Sequence, residues 1–244
     1  MITQARTDIP TAEELKSISD GFELSSPEKI LEWAVETYYP SLTMATAFGS
    51  EGCVLMAMLA QIAPNGKNVS IFNLETGYQF RETLETRERI HDRYGIKVDY
   101  VQAEESVESM EKRFGGPIYY SNPDECCRIR KVVPLRQRVI GYSAWISAIR
   151  RDQTAARANA GIVEWDKKFG LVKINPLANW TKRDIWAYIT INEIPYNPLH
   201  DQGYPSIGCW PCTHKVAEGD DDRAGRWKDI AKLECGLHTP EYEI

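Results

Sequence analysis

The stretch from residue 42 to residue 74 constrains the fold more than any other. Leu42 to Phe48 reads as a short strand and Gly49-Ser50-Glu51-Gly52 as a turn. Cys53 to Ile62 reads as an apolar helix and Val69 to Leu74 as a second short strand. Strand, glycine turn, helix and strand within roughly 30 residues form a βαβ unit, whose two strands must pair in parallel. Parallel pairing calls for further alternation, and the chain supplies it. Ser26-Pro27-Glu28 offers a cap, a proline at the first helical position and an early acid, which predicts a helix over 27–38. Arg81 to Tyr94 carries helical periodicity, and Ile96 to Val101 and Ser143 to Ile149 read as further strands. The expected fold class is α/β with an open, mainly parallel sheet, which places ligands at the carboxyl ends of its strands.

With 43% hydrophobic and 26% charged residues, the 244-residue chain can bury a core, and one main domain is the default. The expected organisation is an N-terminal segment over 1–25, the α/β domain over 26–205 and a C-terminal segment over 206–244. Beyond residue 195 the pattern breaks into prolines, glycines and the acidic run from Glu218 to Asp222, which predicts a mobile tail. The apolar run Val54 to Ala60 is far shorter than the roughly 20 residues needed to cross a bilayer. The first fifteen residues carry charges and Pro10 in place of a secretory pattern. A cytoplasmic protein without a membrane partner is expected. Lys and Arg number 29 against 35 Asp and Glu, a net charge of −6, which argues against a general nucleic-acid binder.

Six cysteines stand at 53, 126, 127, 209, 212 and 235. In a long chain without an export pattern they point to metal or thiol chemistry before disulfides. Cys126-Cys127 and Cys209-Trp-Pro-Cys212 together offer four thiolates, suited to tetrahedral zinc or to an iron–sulfur cluster. Zinc knuckles space their ligands by two or more residues, whereas adjacent cysteines are easier to place on separate corners of a cubane, so a four-iron cluster is favoured. Cys53 lies within the apolar helix and reads as a buried structural thiol. Cys235 follows Lys232, Leu233 and Glu234 and precedes His238. Lys232 and a protonated His238 would favour its thiolate, and Glu234 would oppose it.

The 26 residues from Cys126 to Arg151 contain seven cations, Arg128, Arg130, Lys131, Arg136, Arg138, Arg150 and Arg151, and no acid. Such a stretch favours a bound anion and screens a thiolate-ligated centre. Arg223 and Arg226, three apart, would share one face of a helix and could grip one multiply charged group.

On these residues the chain resembles the assimilatory sulfonucleotide reductases, and more narrowly the adenylyl-sulfate (APS) reductases. The matching pieces are Leu74-Glu75-Thr76-Gly77, Cys126-Cys127-Arg-Ile-Arg-Lys131-Val-Val-Pro-Leu135, Arg150-Arg151-Asp152-Gln153, Cys209-Trp-Pro-Cys212 and Glu234-Cys235-Gly236-Leu237-His238, in the family's order. The resemblance implies a sheet of the adenine nucleotide α-hydrolase-like type and one 4Fe–4S cluster on Cys126, Cys127, Cys209 and Cys212. It also implies Cys235 as nucleophile and contacts to the phosphosulfate from Lys131, Arg223, Arg226 and His238. Gly49, Leu74, Thr76 and Gly77 would hold the nucleotide, and Arg150 or Arg151 would add an anion contact. The family's Ser-Phe-Gly turn is Ala47-Phe48-Gly49 here, with Ser50 as a substitute hydroxyl, and its Leu-Asp-Thr-Gly is Leu74-Glu75-Thr76-Gly77.

The activity so implied is reduction of APS to sulfite and AMP through an S-sulfocysteine, with thioredoxin or a similar dithiol as donor. The paired cysteines mark the branch usually specific for APS. The rivals are reduction of the 3′-phosphorylated form (PAPS) and a non-enzymatic iron–sulfur or zinc sensor. A homo-oligomer remains open.

Overall fold

Local signals set where the chain turns into helix. In the computed structural model, which describes residues 10–62, 69–228, 230, 232 and 234–237, Thr11 caps α1 (Ala12–Gly21) and Ser26 caps α2 (Pro27–Tyr38). Then come β1 (Leu42–Thr46), α3 (Ser50–Ile62), β2 (Ser70–Glu75), α4 (Arg81–Tyr94) and β3 (Val98–Gln102). The expected helices at 27–38 and 81–94 are therefore found as read. A second helical run follows, comprising α5 (Val107–Phe114), α6 (Ile118–Ser121), α7 (Pro123–Cys127), a π-helical turn over Arg128–Val132 and α8 (Val133–Arg138). β4 (Ala144–Ile146), β5 (Val163–Asp166), β6 (Leu171–Ile174) and α9 (Lys182–Ile191) complete the regular elements.

The six strands form one sheet in the order β3-β2-β1-β4-β6-β5, parallel throughout except for the β5–β6 pair. Alternate strand residues face opposite layers, as the pleat requires. Leu42, Met44, Ile71, Ala144 and Ile146 pack with residues of α2, α3 and α9, whereas Phe72 and Trp145 pack with Leu135 and Val139 at α8. α3 is apolar nearly all round, and Gly52 to Leu59 are all buried, as expected of a helix enclosed by its neighbours. No helix among the described residues is long and apolar enough to cross a membrane.

Two expectations need correction. The antiparallel β5–β6 pair was not foreseen, because strands of four residues carry little periodic signal. The region after 195 is tied to the rest of the chain at several points up to Trp227, although Glu218 to Asp221 are exposed. Asn197 and Leu199 are buried, Asn197 donates to Thr83 Oγ1 at 3.0 Å, and Thr213 bridges to Arg226. Backbone hydrogen bonds such as those from the His214 N–H to the Gly225 carbonyl at 2.8 Å and from the Val216 N–H to the Gly203 carbonyl at 2.9 Å satisfy a backbone that forms only short 3-10 turns.

Candidate active site

β1 and β2 lie next to one another, and the chain then crosses to β4 on the other side of β1. Such a switch point opens a crevice at the strands' carboxyl ends. A cavity of about 360 Å³ lies there. The turn after β1 forms one wall. Phe48 takes a left-handed φ of 54° and its N–H donates to Thr46 Oγ1 at 3.1 Å, turning the chain into α3. Gly49, Ser50 and Glu51 then line the cavity, with Leu74, Thr76 and Ser147 from the ends of β2 and β4. Gly77 serves the wall without lining it. Its φ is 77°, a Cβ there would strike Val107, and its N–H donates to Glu75 Oε1 at 2.9 Å, so the longer carboxylate of Glu75 ties the turn.

The cation-rich stretch divides. Lys131 and Arg150 line the cavity, but Arg150 is buried against Glu51 and Asp152, at 2.8 Å from the latter. Arg151 points elsewhere, to Glu23 at 2.7 Å and the Ala160 carbonyl at 2.7 Å, which corrects its reading as an anion contact. Arg128 pairs with Glu125, and Arg138 with Asp99. Arg130 donates to the carbonyls of Thr76 and Glu105, joining two loops. An acid-free run of sequence is thus not an acid-free neighbourhood.

Cys126, Cys127, Cys209 and Cys212 line one small void of about 10 Å³ with Tyr78, Tyr119, Lys131 and Trp227. α7 brings the first pair, and the turn over Trp210–Cys212 the second. The Trp210 N–H donates to the Tyr78 carbonyl at 2.8 Å, and Thr76 Oγ1 lies 3.3 Å from Cys209 Sγ. Burial and the neighbouring thiols push Cys126 up to about 12 and Cys212 up to about 11. Cys126, Cys127 and Cys212, hard to ionise alone, suit a cationic centre. Among the described residues no three His, Cys, Asp or Glu side chains are arranged to hold a single metal ion. The donor set fits a thiolate-ligated centre. Cys53 is apart from them, fully buried and pushed up to about 12 by burial, as a structural thiol should be.

Cys235 lies at the cavity's other wall, half-buried, with Lys131, Arg157, Arg223, Arg226 and Glu234. Burial raises its thiol pKa, but the charge of Lys131 and a hydrogen bond from the Leu237 amide outweigh it, and the net shift is downward. Glu234 also raises it, as the sequence suggested, but Arg157 and Arg223 hold that carboxylate at 2.8 and 3.2 Å. Lys232 pairs with Asp124 of α7, so its charge supports the segment's position. Arg223 and Arg226 share no helix. They stand on a turn and a bridge, with Trp227 against both at 5.8 and 4.5 Å. His238 lies outside the described residues. Sequence reasoning missed Arg157, Trp227 and Lys182; Arg157 stands only six residues beyond the noted stretch.

The chain matches the family model described as the phosphoadenosine phosphosulfate reductase domain over residues 41–215. It belongs to that family. "Adenosine 5'-phosphosulfate reductase 1" of Bacillus subtilis is 45% identical over 86% of this chain and 89% of its own length. "Phosphoadenosine 5'-phosphosulfate reductase" of Gloeobacter violaceus is 44% identical over 92% of this chain and 93% of its own. The crystal structure of phosphoadenylyl-sulfate (PAPS) reductase from Candida auris, a phosphate complex, superposes with a TM-score of 0.74 at 30% identity, covering 86% of this chain and 99% of that one. The sulfonucleotide reductase chain thus carries its family's fold, with Cys235 on the crevice and the paired cysteines in a void beside it, Cys209 bordering both.

Proposed function

We propose that the protein reduces APS to sulfite and AMP, with Cys235 as nucleophile and a dithiol protein such as thioredoxin as donor. The observation that carries this reading is a thiol with lowered pKa bordering the same cavity as Lys131, Arg157, Arg223 and Arg226. Nucleophile and sulfate are both anionic, so attack needs cations already in place around the transferring group. Arginine suits the oxygens of sulfate and phosphate, because its fork matches them two at a time.

In the first step the Cys235 thiolate attacks the sulfur of APS. An S–S bond forms, the bond from sulfur to the bridging oxygen breaks, and its electron pair leaves on AMP. In the second step a thiolate of the donor attacks Cys235 Sγ. Sulfite leaves with the electron pair of the S–S bond, and the donor's second thiol resolves the mixed disulfide, so the dithiol is oxidised by two electrons. Cys53 is fully buried and the other four cysteines share their own void, which leaves an external donor as resolving partner.

Cys126, Cys127, Cys209 and Cys212 would hold a 4Fe–4S cluster, favoured over a single zinc because the adjacent Cys126 and Cys127 are easier to place on separate corners of a cubane. Such a cluster would supply a charged, rigid anchor beside the anion site. Lys131 borders both chambers and stands ready to balance charge in each.

Turnover of the purified protein with APS and with PAPS, thioredoxin as donor, tests the reading. Sulfite from APS well in excess of that from PAPS is expected. A preference for PAPS, as the name of the Gloeobacter relative suggests for that protein, overturns the substrate, and sulfite from neither overturns the activity.

A further inference from the structure

Glu234 is one of the most enclosed carboxylates among the described residues, with its side chain 4% exposed, and the reaction steps above do not use it. Burying an acid costs several kcal/mol unless it is paired and hydrogen-bonded. Here it accepts from Thr154 Oγ1 at 3.1 Å, from Arg157 Nε and Nη2 at 3.0 and 2.8 Å, and from Arg223 Nη2 at 3.2 Å. A carboxylate satisfied on both oxygens, one residue before the nucleophile, fixes the chain where the nucleophile must be fixed.

We propose that Glu234 is the positioning residue for Cys235: clamped by Arg157 and Arg223, its carboxylate docks the nucleophile's segment against the cavity in register with the bound anion. This rests on the reading of Cys235 as nucleophile.

The clamp is joined to the nucleotide side of the crevice. Arg157 Nη1 donates to Gln153 Oε1 at 2.5 Å, and Gln153 Nε2 donates to Glu51 Oε1 at 3.0 Å, in the first turn of α3. Polar contacts therefore run without a break from the turn after β1 to the residue before Cys235. Replacing Glu234 would leave Arg157 and Arg223 without their shared carboxylate and the segment dependent on other anchors, among them Lys232 to Asp124 and Lys168 Nζ to the Gly236 carbonyl.

The test uses holoenzyme of the full chain, wild type and Glu234→Gln, with Arg157→Gln as a second variant that releases the clamp from the other side. Hydrogen exchange of the amides at 232–237 should quicken at least tenfold in both variants, with the exchange of α3 unchanged. In a single turnover with APS, the rate of sulfo-adduct formation on Cys235 should fall at least tenfold in Glu234→Gln, while its dissociation constant for AMP changes less than threefold. Unchanged exchange, or loss of AMP affinity in step with rate, overturns the clamp. If the wild type itself forms no adduct, the nucleophile reading fails, and the exchange measurement still decides whether Glu234 docks the segment.

Discussion

At Cys235 two effects of opposite sign meet. Burial disfavours the thiolate, whereas Lys131 and the Leu237 amide favour it and prevail. The acid limb of the attack rate should therefore lie below the ordinary thiol value of 9.0. Because the folded pKa is lowered, the stabilisation is present above the unfolded value and is lost as pH falls through the folded one. Lys131→Met should move that limb to higher pH in single-turnover profiles; an unmoved limb would deny Lys131 this role. Cys235→Ser should abolish the sulfo-adduct altogether. Cys53→Ala, by contrast, should cost only about 1–2 kcal/mol of stability and leave adduct formation intact, checked by denaturant melts and single turnovers. The chemical identities were legible in the sequence, since cysteines advertise themselves. Directions were not: only folding shows that Arg151 turns to Glu23 and that Glu234 is neutralised by two arginines.

Among the elements, the turn before Trp227 is the least forgiving. A Cβ on Gly225 would run into the His214 carbonyl, the strand-like contact that sets Arg223 and Arg226 on the cavity wall. Gly225→Ala should weaken AMP binding and turnover at least tenfold with the rest of the fold intact, read by calorimetry beside circular dichroism. The π-helical turn over Arg128–Val132 places Lys131 between two chambers immediately after Cys127, a use of irregular helix common at functional sites. If the paired cysteines hold a cluster, Cys209→Ser should bleach the visible absorbance; an unchanged spectrum would contradict its ligand role. α2 could be read because its cap and apolar period agree over 12 residues, and α4 because its period runs over 14. The segment from 195 to 228 could not, because its packing rests on individual hydrogen bonds with no period to detect.

Across the whole molecule, the parallel sheet and its switch point decide where chemistry can occur; the βαβ unit around β1 announced the first, and only the strand order shows the second. The net charge of −6 is an average over neighbourhoods that differ in sign, and the sequence could locate only part of the positive one. A ligand bound only by the folded crevice must stabilise the entire fold: AMP at one hundred times its dissociation constant should add about 2.7 kcal/mol, or roughly 5–10 °C in melting temperature. Lys131, Cys209, Arg226 and Trp227 border both the crevice and the cysteine void, so one layer of side chains serves two chambers. Neither chamber is then free to drift on its own in descent. A change at any of these four side chains is felt on both sides of that layer at once.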